Sequence, residues 1–192
     1  MIYISLGWNC GPAIIRKNKF KQEKKNGYLT QPFDLCVTPY SALCECIKDD
    51  FAQFFNLRIE NYITMNAYNM WFNHESEFYQ KNNFEEFIKR YKNRIANFRK
   101  YLTSGQEICF IHSNPFEDSS ELCNILETNY PDLIFKILAI QNADIDVYKN
   151  HFSEKSDCKT HAVMGKSMNF KLLDSNVDSN KIFYIKKYKT TE

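Results

Sequence analysis

The chain opens on an apolar run, and apolar positions then recur at spacings that alternate between those of strands and those of helices. Residues 1–6 predict a buried strand, and residues 12–18 predict a short helix with Pro12 in its first turn, where a missing N–H costs nothing. A second helix is predicted to begin with Thr38 as its N-cap and Pro39 at its first helical position. Its apolar positions at helical spacing are Leu43, Ile47, Phe51 and Phe54.

The strongest helical pattern spans residues 84–102, with Gly105 in the C-terminal capping position. One face carries an apolar stripe of Phe84, Phe87, Ile88, Tyr91, Ile95, Phe98 and Leu102. The other face is basic and expected to be solvated; it includes Lys89, Arg90, Lys92, Arg94, Arg99 and Lys100. Residues 56–80 are rich in aromatic residues and Asn without a clear period, and we interpret them as a loop-rich insertion with room for one strand or hairpin.

Beyond residue 105 the pattern changes to strands that alternate with helices. Residues 107–111 predict a strand, Asp118 with Glu121 predicts the start of a helix, and residues 133–140 form an apolar run typical of a strand covered on both faces. Further elements are predicted at 144–151 (helix), 161–165 and 181–188 (strands). This order predicts an α/β fold: a single three-layer domain over residues 1–192 with a mainly parallel central sheet, Rossmann-like in type.

Polar side chains follow the predicted strands at the points where the strands end. Asn9 and Cys10 follow the first strand, and His112 and Asn114 follow the strand at 107–111. In open parallel sheets functional groups gather beyond the carboxyl ends of the strands. We therefore expect these residues to lie along one edge of the sheet and to form part of a site.

Composition and charge narrow the classes of partner and compartment. The chain has 192 residues and a formal net charge of +2, which gives no reason to expect nucleic acid or an acidic membrane as a partner. No apolar run approaches the roughly 20 residues that span a bilayer. Seven cysteines are scattered along the chain and its first residues do not resemble a secretory signal, so we expect free thiols and a cytoplasmic location.

The usual cofactor signatures are absent from the sequence. It contains neither the glycine-rich dinucleotide fingerprint nor a phosphate-binding P-loop motif. Cys44 and Cys46 lie two apart on a predicted helix, where they do not face each other, and no second ligand pair has zinc-site spacing. We therefore expect neither a cofactor nor a metal.

Cys10 carries the most specific chemical prediction. It lies at a strand-to-helix junction, where helix N–H groups and the helix dipole favour a thiolate and can also stabilise an oxyanion. Gly7 and Gly11 allow the backbone to turn sharply on either side of it. The alternative is that Cys10 is a buried packing residue, as most free cysteines are.

A thiol nucleophile needs a base, and four histidines are available. His74 lies in an aromatic loop next to Glu75, and His112 lies at a predicted strand end. Asp34 stands among apolar residues, where it would orient a histidine, bind a polar ligand or simply form a turn. His112 has the better placement from sequence reasoning alone.

Several segments, taken in order, resemble the DUF1796 family of papain-like cysteine peptidases. They cover roughly residues 2–142 and comprise Ser5-Leu6-Gly7-Trp8-Asn9-Cys10, Pro32-Phe33-Asp34 with Thr38-Pro39, Asp50-Phe51 with Phe54, Phe72-Asn73-His74-Glu75, Tyr91-Lys92-Asn93-Arg94-Ile95 and Cys109-Phe110-Ile111. The resemblance implies Cys10 as nucleophile and favours His74 as its partner. It also implies a papain-like α+β fold as the alternative to the Rossmann-like one. The chain departs from the family pattern at Leu35, where tryptophan is expected, and at His112, where arginine is usual.

Two functional hypotheses follow, and a third alternative is a non-enzymatic interaction domain with the aromatic stretch 62–79 as its partner surface. In the first, the protein is a cysteine hydrolase or acyl transferase that acts on a peptide or small-molecule amide or ester, with Cys10 as nucleophile and a histidine as base. In the second, it is a Rossmann-like module that handles a nucleotide or sugar. There, Cys10 only packs, and the polar contacts to the ligand come from Asn9, Asp34, His112 and Asn114.

Overall fold

The computed structural model describes residues 1–8, 10–75, 77–112, 119–140, 171–172 and 182–185. Its helices are α1 (Gly11–Asn18), α2 (Tyr40–Lys48), α3 (Glu85–Leu102) and α4 (Ser120–Asn129). Its strands are β1 (Ile2–Ser5), β2 (Leu57–Glu60), β3 (Ile63–Asn66), β4 (Ile108–His112), β5 (Phe135–Ile140), β6 (Lys171–Leu172) and β7 (Ile182–Ile185). Short 3-10 turns lie at Lys24–Asn26, Glu77–Gln80 and Asn82–Phe84. The elements predicted at 144–151 and 161–165 fall outside the described residues.

The main sheet has the strand order β1-β4-β5-β7-β6. Strands β1, β4 and β5 run parallel, whereas β7 is antiparallel to β5 and β6 is antiparallel to β7. The mixed α/β class is therefore confirmed, and the parallel arrangement holds for the three strands that lead toward the predicted site. Ser5 pairs with Ile111, and the N–H of Leu6 donates to the carbonyl of Ile111 at 2.8 Å, so the carboxyl ends of β1 and β4 lie side by side.

Alternate residues of the parallel strands enter two different clusters, as the twofold period of a strand requires. Ile4, Phe110 and Ile137 belong to the large core that includes buried side chains of α2, α3 and α4. Cys109, Ile111 and Leu138 form a smaller cluster against Tyr3, Ile15 and Phe20. Burial on both faces explains why β4 and β5 read as continuous apolar runs.

The helix α3 confirms the strongest helical prediction, and its buried positions are Phe87, Tyr91, Arg94, Ile95, Phe98 and Leu102. One part of that prediction is wrong, because Arg94 is not on a solvated face but is only 4% exposed. It lies three residues after Tyr91 and four before Phe98, so helical geometry places it within the apolar stripe.

The segment 56–80 contains the antiparallel hairpin of β2 and β3, which pair only with each other within the described sheets. Trp71 forms isolated β-bridges to Val37 and Met65, and these three residues pack with Trp8 in a small apolar cluster. The hairpin region is thereby attached to the loop that leads to Cys10.

The start of α2 differs by one residue from the prediction. The helix begins at Tyr40, so Pro39 is the N-cap and Thr38 precedes it, with no side-chain capping bond. Thr38 instead packs against the loop after β1, as described below. Within the described part of the chain, none of the helices has the length and apolar character required to cross a membrane.

Candidate functional site

The loop that connects β1 to α1 is held in an unusual backbone conformation. Gly7 has φ +84°, and a Cβ added there would lie 2.6 Å from Oγ1 and 2.9 Å from Cβ of Thr38. Trp8 also has a positive φ of 79°, which is rare for a bulky residue, and its indole is buried against Val37, Met65 and Trp71. Tertiary packing against two other segments therefore sets the path of the chain into Cys10.

Cys10 occupies the N-cap of α1. Its carbonyl accepts the N–H of Ile14 at 3.0 Å, and its side chain makes no capping hydrogen bond to the helix. Cys10 is half-buried, whereas the five other described cysteines are buried: Cys36, Cys44, Cys46, Cys109 and Cys123. Burial raises the pKa of Cys36 and of Cys109 to about 12, so both stay protonated near neutral pH. Cys10 is thus the most accessible thiol of the described residues.

A cavity of about 400 Å³ opens beside Cys10 and extends along α1 to α3. We call it the Cys10 cavity. Its described lining carries two acidic residues, Glu23 and Asp34, and more basic ones. The basic lining residues are Arg16, Lys17, Lys24, Arg90 and Arg94. An excess of positive charge therefore surrounds the thiol.

Asp34 is a buried member of this lining, 2% exposed. Its carboxylate accepts the N–H of Gln31 at 2.9 Å and the hydroxyl of Tyr28 at 3.4 Å, and it lies 3.6 Å from Nη2 of Arg16. Burial raises the pKa of Asp34, and the guanidinium of Arg16 opposes that rise. Asp34 therefore closes a turn and also fixes Arg16, whose guanidinium stacks 3.6 Å from the ring centre of Tyr28.

Glu75 organises the opposite part of the lining from a buried position. Its carboxylate lies 3.0 Å from Nη1 of Arg90 and 3.6 Å from Nη1 of Arg94, and it accepts the hydroxyl of Tyr91 at 3.0 Å. The segment 72–75, which contains His74 and Glu75, is thus linked to α3 through Arg90 and Arg94, and both arginines line the Cys10 cavity.

The two candidate bases have opposite environments. His74 is exposed and directly precedes Glu75 in the chain. His112 is buried: its Nε2 is 3.0 Å from Oγ of Ser119, and its ring stacks 5.8 Å from that of Tyr40. Burial lowers the pKa of His112 to about 4. Neither histidine belongs to the described lining of the cavity, and Asn9 and Asn114 lie outside the described residues.

Sequence reasoning missed the residues that give this cavity its charge. Arg94 was assigned to a solvated face, Glu75 was noted only as the neighbour of His74, and Arg16 was not singled out, yet all three are buried. The available signal was the position of Arg94 in the stripe between Tyr91 and Phe98, where a charged residue is buried only with a partner. Among the described residues, no group of three or more His, Cys, Asp or Glu side chains is placed to hold a metal ion.

Comparison with known proteins gives one match. The family model described as "Putative papain-like cysteine peptidase (DUF1796)" matches residues 1–141. Searches of curated proteins and of solved structures found nothing similar to the chain. Since the match covers well over half of the 192 residues, the chain belongs to this family.

Proposed function

We propose that this member of the papain-like cysteine peptidase family is a cysteine-type hydrolase or acyl transferase with Cys10 as its nucleophile. The observation that carries the proposal is the position of Cys10. It is the half-exposed thiol among buried ones, at the N-terminus of α1, and it opens into a cavity large enough for a small substrate. The substrate class is a peptide, an amide or an ester.

The chemistry uses the thiol in two steps. The base takes the proton of Cys10, and the sulfur attacks the substrate carbonyl; the C–N or C–O bond then breaks as the base returns the proton to the leaving group. Water, or an acceptor amine or alcohol, then cleaves the thioester, gives its proton to the base and releases the thiol. Pro12 has no N–H, so the amides that follow it in the first turn, beginning with that of Ala13, are the backbone donors proposed for the oxyanion.

We assign the base to His74. It is exposed, and the adjacent Glu75 contacts Arg90 and Arg94, which line the same cavity as Cys10. His112 is a weaker candidate, because a ring with a pKa near 4 and a hydrogen bond to Ser119 accepts a proton poorly at neutral pH. We propose that His112 supports the carboxyl end of β4 in its neutral form.

Alkylation kinetics test the proposal without a known substrate. Iodoacetamide is added at pH 7, and the modified cysteines are identified by peptide mass spectrometry. A free thiol is only a few per cent ionised at pH 7, so pairing with a base should make Cys10 react about tenfold faster than glutathione. His74→Gln should remove most of this advantage, whereas His112→Gln should keep it.

The controls separate reactivity from mere exposure. Cys10→Ser should abolish rapid labelling, and Cys36→Ser should leave it unchanged, since Cys36 is buried. Hydrolysis of a panel of nitrophenyl esters and peptide amides should follow the same pattern of variants. A Cys10 that reacts no faster than glutathione would refute nucleophilic catalysis at this position.

A second candidate is a Rossmann-like module that handles a nucleotide or sugar, and the basic lining of the Cys10 cavity favours it. This candidate assumes the three-layer, Rossmann-like arrangement of helices on both faces of the sheet. Its support is that Ile15 of α1 packs on one face of the sheet and α2 to α4 on the other. Thermal stabilisation by a nucleotide or nucleotide-sugar that persists in Cys10→Ala would favour this candidate. For either candidate, the described cysteines, which form no disulfide with one another, support a reducing, cytoplasmic compartment.

A further inference from the structure

Arg94 is a buried cation whose neighbours leave it incompletely satisfied. It is 4% exposed, and its Nη1 lies 3.6 Å from Glu75, which is too long for a hydrogen bond. That Nη1 has no hydrogen-bond partner among the described residues, and the guanidinium otherwise stacks on the ring of Tyr91 at 4.5 Å. A buried charge with unused donors is unfavourable unless an anion completes its shell.

Arg16 is in a similar state on the other side of the cavity. It is also buried, and its Nε has no hydrogen-bond partner among the described residues. Its ion pair with Asp34 is 3.6 Å long, and that carboxylate already accepts bonds from Gln31 and Tyr28. Neither arginine is therefore fully neutralised by a dedicated carboxylate.

The charge of the groups around the cavity also favours the binding of an anion. Two buried carboxylates, Asp34 and Glu75, face three guanidinium groups, those of Arg16, Arg90 and Arg94. The exposed Lys17 and Lys24 extend the positive lining outward. The acidic lining residue Glu23 pairs with Lys25 at 2.9 Å, so the lining keeps an excess of positive charge. Such an excess concentrates negatively charged ligands.

We propose that the Cys10 cavity binds an anionic group, a carboxylate or a phosphate, on the substrate that Cys10 attacks. The proposal rests on the proposed function, because it names the substrate class of the same site. Planar guanidinium groups suit both anions through paired N–H donors. Cys10 and both buried arginines line one cavity of about 400 Å³, so the anionic group and the reacting carbonyl belong to one small molecule or one chain end.

Two alkylating reagents of nearly equal size test this directly. Iodoacetate is an anion and iodoacetamide is neutral, so the ratio of their rates at Cys10, divided by the same ratio for glutathione, reports the charge of the cavity. We expect this normalised ratio to be about ten in the intact protein at low salt. It should fall toward one in high salt, because screening weakens attraction between partly exposed charges.

Variants locate the effect within the cavity. Arg94→Gln should lower the normalised ratio several-fold. Arg99 lies on the same helix as Arg94, but it pairs with Asp50 and does not belong to the described cavity lining, so Arg99→Gln should not change the ratio. The exposed pair Lys17→Gln and Lys24→Gln provides a second test if Arg94→Gln does not fold, and it too should lower the ratio. A normalised ratio of one in the unmodified protein would overturn the proposal.

Protection assays identify the anion. Sodium acetate and inorganic phosphate are compared at equal ionic strength with sodium chloride for their ability to slow the reaction of Cys10 with iodoacetamide. Protection by acetate assigns a carboxylate, protection by phosphate assigns a phosphate, and protection by neither overturns the anion site. If Cys10 reacts with iodoacetamide no faster than glutathione but has a high normalised ratio, only its role as nucleophile is refuted. If Cys10 reacts faster than glutathione but has a normalised ratio of one, only the anion site is refuted.

Discussion

Replacing Gly7 by alanine should destabilise the protein through a contact that the structure defines. The backbone at Gly7 has φ +84°, a conformation that costs a residue with a Cβ about 1–2 kcal/mol. The new methyl group would also meet Oγ1 of Thr38 at 2.6 Å and its Cβ at 2.9 Å. Overpacking of this kind costs about 1–3 kcal/mol, so Gly7→Ala should lower the free energy of unfolding by about 2–5 kcal/mol.

The chain offers a matched control in Gly27. Its φ is also +84°, but a Cβ there would have no atom within 4 Å. Gly27→Ala should therefore show only the backbone contribution of about 1–2 kcal/mol. The difference between the two variants measures the close approach of the loop to Thr38.

Urea unfolding followed by tryptophan fluorescence is a suitable assay, because Trp8 and Trp71 are both buried. In the Gly7→Ala background, Thr38→Ala removes the contact at 2.6 Å and should restore part of the lost stability, which a double-mutant cycle would measure. Gly7→Ala should also change the rate at which Cys10 is alkylated. Equal losses for Gly7→Ala and Gly27→Ala would refute the packing argument.

Three further predictions concern buried ionisable groups. Glu75→Gln removes the carboxylate that pairs with Arg90 and Arg94 and leaves buried positive charge without its partner. The free energy of unfolding, measured by urea titration, should therefore fall by about 3–5 kcal/mol. Burial lowers the pKa of His112 from 6.5 to about 4, so between these pH values the unfolded chain binds a proton that the folded protein does not bind. The contribution of the neutral ring to the free energy of unfolding is therefore fully present above pH 6.5 and is lost as the pH falls toward 4. We expect a loss of about 2 kcal/mol between pH 7 and pH 5. Cys36 and Cys109, with pKa values near 12, should resist iodoacetamide at pH 8 until urea unfolds the protein, as peptide mass spectrometry would show.

Each of these has its own control. Glu60→Gln breaks an exposed pair with Arg58 and should cost less than about 1 kcal/mol, so a similar loss in both glutamate variants would contradict the role of burial. His112→Gln should flatten the dependence of stability on pH, whereas the exposed His74→Gln should keep it. Labelling of the two buried cysteines at the rate of Cys10 in the folded protein would contradict the burial that the structure assigns to them.

Much of the fold could be predicted because its signals are local. The apolar stripe of α3 and the continuous runs of β4 and β5 are properties of short windows, and the structure confirms them within a residue or two. The start of α2 was wrong by one residue, since proline suits both the N-cap and the first helical position. Its end was wrong as well, because the helix stops at Lys48 and Phe51 and Phe54 lie beyond it. The strand predicted at 181–188 is confirmed by β7, but its antiparallel direction and the strand β6 were not predicted, because strand pairing depends on segments distant in sequence.

The candidate site also combines a feature that the sequence predicts with features that depend on the tertiary structure. The junction of a strand, a glycine turn and a helix determined from sequence alone that Cys10 stands at a helix N-terminus, because this order of residues permits few local conformations. Only the tertiary structure decided that Cys10 stays accessible while five other described cysteines are buried, that His112 is enclosed by Tyr40 and Ser119, and that arginines from α1 and α3 line one cavity. Burial and charge pairing are sums over neighbours from distant segments, and a linear pattern does not contain those neighbours until the chain has folded.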